Sequence, residues 1–249
     1  MKLLIDAGNT RIKWQLREDG QVLRRGGGEL EADTLFQAIP PMSWPDVQAV
    51  AVSTVRSESA RAQLEEAITR FTSVPVRFYW TVKRFRDLTC AYEQPATMGA
   101  DRWHALVAAW DQVRGACVVV DAGSAITVDW IDDTGRHLGG YILPGRMMMI
   151  GSLRQSTARV LFDERPGPGD TAPGTTTAEC VFHGINWLLQ ILASELGRQS
   201  LPVLLTGGDG PMVKKALDEA GMASTAGVLL CPDLVFDGLA LVEAEPCDG

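Results

Sequence analysis

Cysteine and histidine are scarce in this sequence of 249 residues, which contains five cysteines and three histidines. The cysteines lie far apart without a Cys-x-x-Cys pair, and their number is odd, so the pattern predicts reduced, mostly buried thiols rather than a disulfide framework. Reduced thiols predict a cytoplasmic location. The histidines His104, His137 and His183 lack the spacing of metal ligands, so a zinc site is not expected.

Positive charge is also in short supply, because 23 Lys and Arg residues stand against 31 Asp and Glu, for a net charge of −8. A nucleic-acid or acidic-membrane partner would require a basic surface, which excludes both as expected partners. No apolar run reaches the ~18 residues that span a membrane, and the N-terminal run meets Asp6 too early for a signal peptide. A protein of this charge that handles phosphates must take positive charge from metal ions or from a few basic side chains.

The most informative feature is a pattern that occurs twice. Residues 3–14 read LLIDAGNTRIKW, and residues 118–130 read VVVDAGSAITVDW. In each copy an apolar run of strand length ends in Asp-Ala-Gly, and a second strand-like segment follows and closes on Trp. The Gly permits a tight turn whose backbone N–H groups can form an anion site suited to phosphate oxygens. The Asp cannot bind phosphate directly and instead indicates a bridging cation.

A single Asp-Ala-Gly after a strand is most simply an ordinary turn, since Asp and Gly are common turn residues. The repetition favours two phosphate-binding hairpins, and the second half also repeats the later order of helix, strand and helix. We therefore predict an α/β protein built from two duplicated domains, residues 1–114 and 115–249, with a ligand cleft between them.

The segment MGADRWH at residues 98–104 leads into an Ala-rich helix. Asp101 either caps the N-terminus of this helix or accepts a proton while Arg102 binds a carboxylate, and residue chemistry alone leaves both interpretations open. The basic cluster Lys83–Arg86 is interpreted as a solvated loop, with neutralisation of an anionic ligand as the alternative.

Several other segments carry weaker expectations. The glycines at 26–28 predict an exposed loop, and the Pro/Gly-rich segment at 164–174 predicts a mobile one. Met147–Ile150 predicts core or subunit-interface packing. The threonines at 175–177 precede a predicted helix that runs to about Gly197, and helix capping explains at most one of the three.

The order of the two hairpins and Thr206-Gly207-Gly208 resembles the superfamily of acetate kinases, sugar kinases, Hsp70 and actin. Further motifs narrow the resemblance to the type III pantothenate kinase family, from residue 1 to about residue 240. These motifs are Asp6-x-Gly-Asn-Thr with Lys13, Gly99-Ala100-Asp101-Arg102, Asp121-x-Gly-Ser, Gly139-Gly140-x-Ile-x-Pro-Gly145, and Thr177 upstream of Gly184.

The resemblance implies two ribonuclease H-like (actin-like) domains with mixed sheets flanked by helices. It implies ATP-dependent phosphorylation of pantothenate to 4'-phosphopantothenate, the first step of coenzyme A biosynthesis. The implied cofactors are Mg²⁺, used with ATP, and a monovalent cation, K⁺ or NH₄⁺. The implied assembly is a homodimer with the site near the subunit interface.

The resemblance also implies roles for individual residues. Asp101 is the expected proton acceptor, Asp121 the expected ligand of the monovalent cation, and Asp6 an expected Mg²⁺ ligand through water. The expected ATP- and phosphate-binding residues are Asp6, Gly8, Asn9, Thr10, Lys13, Gly123 and Ser124. The expected substrate-binding residues are Tyr92, Gly99, Ala100, Asp101, Arg102 and Thr177.

Two positions depart from the family pattern. Ser124 replaces the usual Thr and keeps its hydroxyl, so we expect phosphate binding to survive, and Cys180 replaces a small Ala, which is a packing change. Two alternatives remain, namely a related kinase for another small hydroxy acid and a non-catalytic nucleotide-binding regulator of the same fold. The presence of Asp101 together with both hairpins favours the pantothenate kinase.

Overall fold

The computed structural model describes residues 1–30, 34–156, 169–219 and 227–245. The chain divides into two compact units. The first comprises Met1–Gly115, Thr134–Leu138 and Asp233–Gly249, and the second comprises Ala116–Asp133 and Gly139–Pro232. The mobile loop predicted at 164–174 lies partly outside the described residues. Cys247 lies wholly outside them.

The elements alternate between strands and helices, as the sequence predicts. The strands are β1 (Lys2–Ala7), β2 (Ile12–Glu18), β3 (Gln21–Gly28), β4 (Ala49–Thr54), β5 (Val76–Tyr79), β6 (Arg84–Phe85), β7 (Leu88–Thr89), β8 (Cys117–Ala122), β9 (Ala125–Ile131), β10 (His137–Pro144), β11 (Val203–Thr206) and β12 (Val228–Leu230). The helices are α1 (Glu58–Thr69), α2 (Ala100–Val113), α3 (Arg146–Ser156), α4 (Thr177–Gly197), α5 (Gly210–Glu219) and α6 (Leu234–Ala244).

The sheet of the first unit has the strand order β3-β2-β1-β4-β5. β1 pairs antiparallel with β2 and parallel with β4, so Asp6 lies between Lys13 on one side and Ser53 on the other. The hairpin follows from an apolar strand that ends in Asp-Ala-Gly, and the parallel pairing follows from the crossover needed to reach β4. The carboxyl ends of β1 and β4 therefore meet at one edge of the sheet.

The two faces of this sheet are covered differently. One face packs Leu3, Ile5 and Val52 against α1 and the aromatic residues that follow β3. The other face carries Leu4, Ala51 and Tyr79, which pack against Phe236 and Leu239. Phe236 and Leu239 belong to α6, so this helix and β1 share one core cluster.

The glycines at 26–28 are part of β3 and pair with Ile12–Trp14, so the predicted exposed loop is wrong. A Cβ on Gly26 would collide with the indole ring of Trp14. Trp14 is buried, and its Nε1 donates to the carbonyl of Leu35 at 2.6 Å. Gly26 is therefore required by a neighbouring tryptophan rather than by a turn.

The sheet of the second unit has the order β10-β9-β8-β11-β12, which repeats the order of the first. β8 again pairs antiparallel with the strand that follows its Asp-Ala-Gly turn and parallel with β11. Buried residues of this sheet pack against Phe182, Ile185 and Leu189 of α4. Two mixed sheets of equal strand order confirm the predicted α/β fold and its duplication.

Within the part of the chain that the structure describes, no helix is both long enough and apolar enough to cross a membrane. The described cysteines are free, and Cys90 and Cys117 are buried. Burial raises the pKa of the Cys117 thiol to about 12, which keeps it protonated and unreactive. Cys180 lies in α4 as predicted, but it is exposed, so the expectation of mostly buried thiols does not hold for it.

Candidate active site

The first Asp-Ala-Gly turn lies at the carboxyl end of β1. β1 ends at Ala7 and β2 begins at Ile12, and Asn9 and Thr10 between them are exposed. Lys13 is exposed directly across from Asp6, so an ammonium and a carboxylate flank the start of the turn. Exposed backbone next to one cation and one carboxylate suits a polyphosphate that carries a metal ion.

Two side chains at the end of β4 and just after it donate hydrogen bonds to the carbonyls of this turn. The sequence analysis did not identify either residue. The Thr54 hydroxyl donates to the carbonyl of Ala7 at 3.2 Å. Arg56 donates from Nε to the carbonyl of Gly8 at 2.7 Å and from Nη2 to the carbonyl of Asn9 at 3.2 Å. The turn is therefore held from the side of β4.

The Gly-Ala-Asp-Arg motif forms the N-terminus of α2. Gly99 is the N-cap, with φ of −55°, and Asp101 lies in the first turn, so the cap interpretation of Asp101 is wrong in position. The Asp101 Oδ1 accepts from the backbone N–H of Arg102 at 2.7 Å. A Cβ on Gly99 would lie 2.6 Å from that Oδ1 and 3.3 Å from Val55 Cγ1. Asp101 thus lies beside the residue that follows β4, at the same sheet edge as the first turn.

Arg102 and Tyr92 form a connected pair at this helix end. Arg102 is buried to 6% exposure, and its Nη1 donates to the Tyr92 hydroxyl at 3.0 Å. The Tyr92 ring stacks on His137 with centroids 6.3 Å apart. Lys83 donates to the carbonyls of Cys90 and Tyr92 at 3.0 and 2.9 Å. Lys83, Arg84 and Arg86 are exposed, as a solvated segment would be, and Lys83 also fixes the backbone that carries Tyr92.

His104 lies one turn after Asp101 on α2 and is fully buried. Its Nδ1 lies 2.8 Å from the Ser53 hydroxyl, and Ser53 is the neighbour of Asp6 in the sheet. Burial lowers the pKa of His104 to about 3, so the ring stays neutral. A Cβ on Gly238 would collide with the His104 carbonyl, which shows how closely α6 crosses α2.

The second Asp-Ala-Gly turn, in the second unit, has a similar form. Asp121 lies beside Thr206 in the sheet, and the Gly123 N–H donates to the carbonyl of Ala125 at 2.9 Å. The carbonyl of exposed Ser124 accepts from the N–H of Gly145 at 3.1 Å. The last residue of the GGxIxPG motif, Gly145, thus contacts the second Asp-Ala-Gly turn. Gly207, with φ of +86°, lies against Asp121, where a Cβ would collide with its Oδ1.

Two charged residues near this second turn were not singled out from the sequence. The Asp209 N–H donates to the carbonyl of Ala122 at 2.8 Å. Burial raises the pKa of Asp209, and the charge of Arg146 partly opposes that rise. Within the described residues, the buried Nε of Arg146 has no hydrogen-bond partner. A buried guanidinium donor of this kind is suited to an anion.

Thr177 is the first residue of α4, and Thr176 is its N-cap. Thr176 and Glu179 form a reciprocal capping box, and Glu179 also accepts from the backbone and hydroxyl of Thr175. These bonds, with that from the backbone of Thr175 first, lower the pKa of Glu179. The helix cap thus explains Thr175 and Thr176, whereas the Thr177 side chain is exposed and has no hydrogen bond among the described residues.

The predicted site residues are divided between the two units. The first unit contains Asp6, Gly8, Asn9, Thr10, Lys13, Gly99, Ala100, Asp101, Arg102 and Tyr92, and the second contains Asp121, Gly123, Ser124 and Thr177. Among the described residues, no three His, Cys, Asp or Glu side chains form a metal-binding group.

Comparison with known proteins is consistent across sequence and structure. A family model described as type III pantothenate kinase matches residues 2–199. A type III pantothenate kinase of Marinobacter nauticus is 42% identical over 96% of both chains. A solved structure named a putative Baf family transcriptional activator, from Campylobacter jejuni, covers 96% of both chains with a TM-score of 0.59 and 21% identity. The solved structure of a putative 2-dehydro-3-deoxygalactonokinase from Sinorhizobium meliloti has a TM-score of 0.57 and 15% sequence identity, and the match covers 97% of both chains. At such identities, the structural likeness shows the fold alone.

Proposed function

Because the chain belongs to the type III pantothenate kinase family and is a kinase that phosphorylates pantothenate with ATP, we propose that the reaction occurs beside the N-terminus of α2. The observation that carries this proposal is the position of Asp101 at the sheet edge that also holds the first Asp-Ala-Gly turn. A proton acceptor and a phosphate-binding turn at one edge are the two elements that phosphoryl transfer to a hydroxyl requires.

The triphosphate of ATP is bound by backbone N–H groups and a few cations. In the first unit these are the turn at Gly8, Asn9 and Thr10, with Lys13 as the nearby charge. The second unit has a turn of its own at Gly123 and Ser124, which we propose as phosphate-binding, and the Arg146 Nε, without a hydrogen-bond partner among the described residues, adds a donor there. Mg²⁺, the usual companion of ATP in such kinases, neutralises phosphate charge, and Asp6 is suited to hold it through water.

Asp101 orients the acceptor hydroxyl and takes its proton. Phosphoryl transfer passes through a loose transition state, so the proton leaves late and positioning matters more than base strength. The guanidinium of Arg102, already bonded to Tyr92, binds the carboxylate of pantothenate. Gly99 and Ala100 are proposed substrate-binding residues next to Asp101, and the exposed Thr177 of the second unit is proposed as another.

Asp121 binds a monovalent cation, K⁺ or NH₄⁺, in this proposal. An ADP-release assay with ATP, Mg²⁺ and pantothenate is expected to show turnover that requires pantothenate and rises when potassium replaces sodium. Asp121→Ala should abolish the potassium stimulation, because it removes the carboxylate at the end of β8. Asp218→Ala is the matched control, since that carboxylate is exposed on α5 and pairs with Lys214. Unchanged stimulation in Asp121→Ala would assign the cation to another site.

The same assay tests the substrate. Folded protein that binds ATP but shows no ADP release with pantothenate would contradict pantothenate as the acceptor. A screen of small hydroxy acids would then separate a related kinase, which turns over another acid, from a regulator, which turns over none.

The proposed assembly is a homodimer formed through the second unit. Large apolar side chains are exposed there on β10, α3 and α4, and a monomer rarely leaves so many uncovered. The most exposed are Tyr141 at 64%, Ile142 at 62%, Met147 at 53% and Trp187 at 53%. Burial against a second copy would account for the exposure of these apolar side chains. We propose that the active site lies near this interface.

Light scattering is expected to give about twice the 27.0 kDa chain mass at micromolar concentration. Trp187→Arg should shift the protein toward the monomer and lower its activity, because a charge cannot be buried unpaired at an apolar interface. Met42→Arg, at a position of the first unit that is 82% exposed, is the control and should leave the mass unchanged. A fully active wild-type monomer would refute the interface proposal.

The cytoplasm is the proposed location. The free thiols of Cys90 and Cys117 support it, because they suit a reducing compartment, which is also where ATP is available.

A further inference from the structure

Three consecutive carbonyls of the first turn are bound by one short segment, Thr54–Arg56. The carbonyl of Ala7 accepts from the Thr54 hydroxyl, and the carbonyls of Gly8 and Asn9 accept from Arg56. The Thr54 hydroxyl also accepts from the backbone N–H of Arg56 at 3.1 Å, and this bond positions the backbone of the arginine. The turn is therefore tied to the end of β4 at three successive peptides.

The planarity of the peptide bond converts these bonds into an orientation. In a planar trans peptide, the C=O of one residue and the N–H of the next point in opposite directions. Because Arg56 binds the carbonyls of Gly8 and Asn9, the N–H groups of Asn9 and Thr10 point away from the arginine. The guanidinium thus holds the turn from behind and directs these donors toward the side where phosphate would bind.

The charge of Arg56 adds to this effect. No carboxylate in the described part of the chain forms an ion pair with Arg56, although the chain carries a net charge of −8. A carbonyl that accepts from a cation polarises its peptide and makes the linked N–H a stronger donor. An acidic protein that binds a triphosphate gains from such a cation even when the cation does not touch the ligand.

We propose that Arg56 is a positioning residue for ATP, which acts through the carbonyls of Gly8 and Asn9 to fix and polarise the phosphate-binding N–H groups of the first turn. This inference rests on the proposed role of that turn in phosphate binding. It requires no contact between Arg56 and either substrate, and it assigns the residue to the nucleotide and not to pantothenate.

The test compares direct ATP binding by calorimetry, without pantothenate, in three variants. Arg56→Gln removes the charge and the bond to the Asn9 carbonyl, and its amide nitrogen, which takes the position of Nε, can keep only a neutral bond to the Gly8 carbonyl. We expect it to weaken ATP binding about 10-fold, the scale of losing one or two charge-assisted hydrogen bonds. Arg56→Lys keeps the charge but can reach only one carbonyl, so its affinity should fall between those of wild type and Arg56→Gln. Arg70→Gln removes one positive charge from an exposed pair with Glu66 and should bind ATP as wild type does.

Steady-state kinetics provide the readout that a merely structural role would not give. The KM for ATP should rise in Arg56→Gln while the KM for pantothenate stays within about 2-fold of wild type. Wild-type ATP affinity in Arg56→Gln would overturn the proposal, and so would an equal loss for both substrates, which would indicate general disruption. If Arg56→Gln does not fold, Arg56→Lys decides alone, because unchanged ATP affinity in that variant would also refute it. Wild-type protein that binds ATP without turning over pantothenate would refute the proposed function, while the ATP-binding comparison would still test Arg56.

Discussion

An Asp101→Asn variant is expected to fold and bind both substrates, yet to turn over at least ~10²-fold more slowly than wild type, the usual scale for a positioned base. The amide keeps an oxygen that can accept from the N–H of Arg102, so the first turn of α2 should remain intact. It cannot take the proton of the acceptor hydroxyl. The measurement is kcat from ADP release, with ATP and pantothenate affinities measured separately.

Asp111→Asn is the matched control on the same helix. Asp111 is a partly exposed carboxylate that pairs with Arg86 and Arg114, far along α2 from the Gly-Ala-Asp-Arg motif. Its loss should leave kcat within about 2-fold of wild type, since surface ion pairs contribute little. Near-normal turnover in Asp101→Asn would remove Asp101 from the role of proton acceptor.

The second large effect is a loss of stability in acid that depends on His104. Burial holds the pKa of His104 at about 3 in the folded protein, against 6.5 for the free side chain. Between these values the unfolded chain binds a proton that the folded protein does not, so stability falls as pH is lowered from 6.5 toward 3. The loss is ~1.4 kcal/mol per pH unit, or up to about 2 kcal/mol between pH 6.5 and 5.

His104→Asn isolates this contribution. The Asn amide can still hydrogen-bond the Ser53 hydroxyl, but it does not titrate, so the free energy of unfolding should depend less steeply on pH below 6.5. The acidic groups shared by both proteins cancel when the two curves are subtracted. Urea unfolding followed by tryptophan fluorescence is suitable, because five of the seven tryptophans lie in the unit that holds His104: Trp14, Trp44, Trp80, Trp103 and Trp110. Parallel curves for wild type and variant would contradict the assignment to His104.

The hairpins and sheets were predictable because they depend on local patterns. Alternating apolar runs, an Asp-Ala-Gly turn and its repetition are readable without knowing which strands pair. The helix that follows Ser57 was predictable for the same reason, and the Ser57 hydroxyl does accept from the N–H of Ala60. Motifs of this kind also brought most of the candidate residues to the expected strand and helix ends.

What the sequence did not predict depends on contacts between distant segments. Arg56 binds the turn only because β4 pairs parallel with β1, and neither partner shows this by itself. The glycines at 26–28 resemble a loop in the sequence, because only the structure shows that Trp14 on the neighbouring strand occupies the space beside Gly26. Asp101 outranks Gly99 as a cap by residue preference, yet Gly99 is the N-cap and the helix begins two residues earlier than a cap at Asp101 would give.

The order of the elements along the chain has a consequence for how the protein is made. A ribosome releases β1 well before α6, yet Leu4 and Ala51 are buried against Phe236 and Leu239. During synthesis, Leu4 and Ala51 lack these partners until α6 has emerged. The residues of the second unit in between, from Ala116 to Pro232, emerge before that helix does. The nascent protein therefore carries apolar strand residues without their helix while the second unit is translated, which is the period when a chaperone would have most to protect.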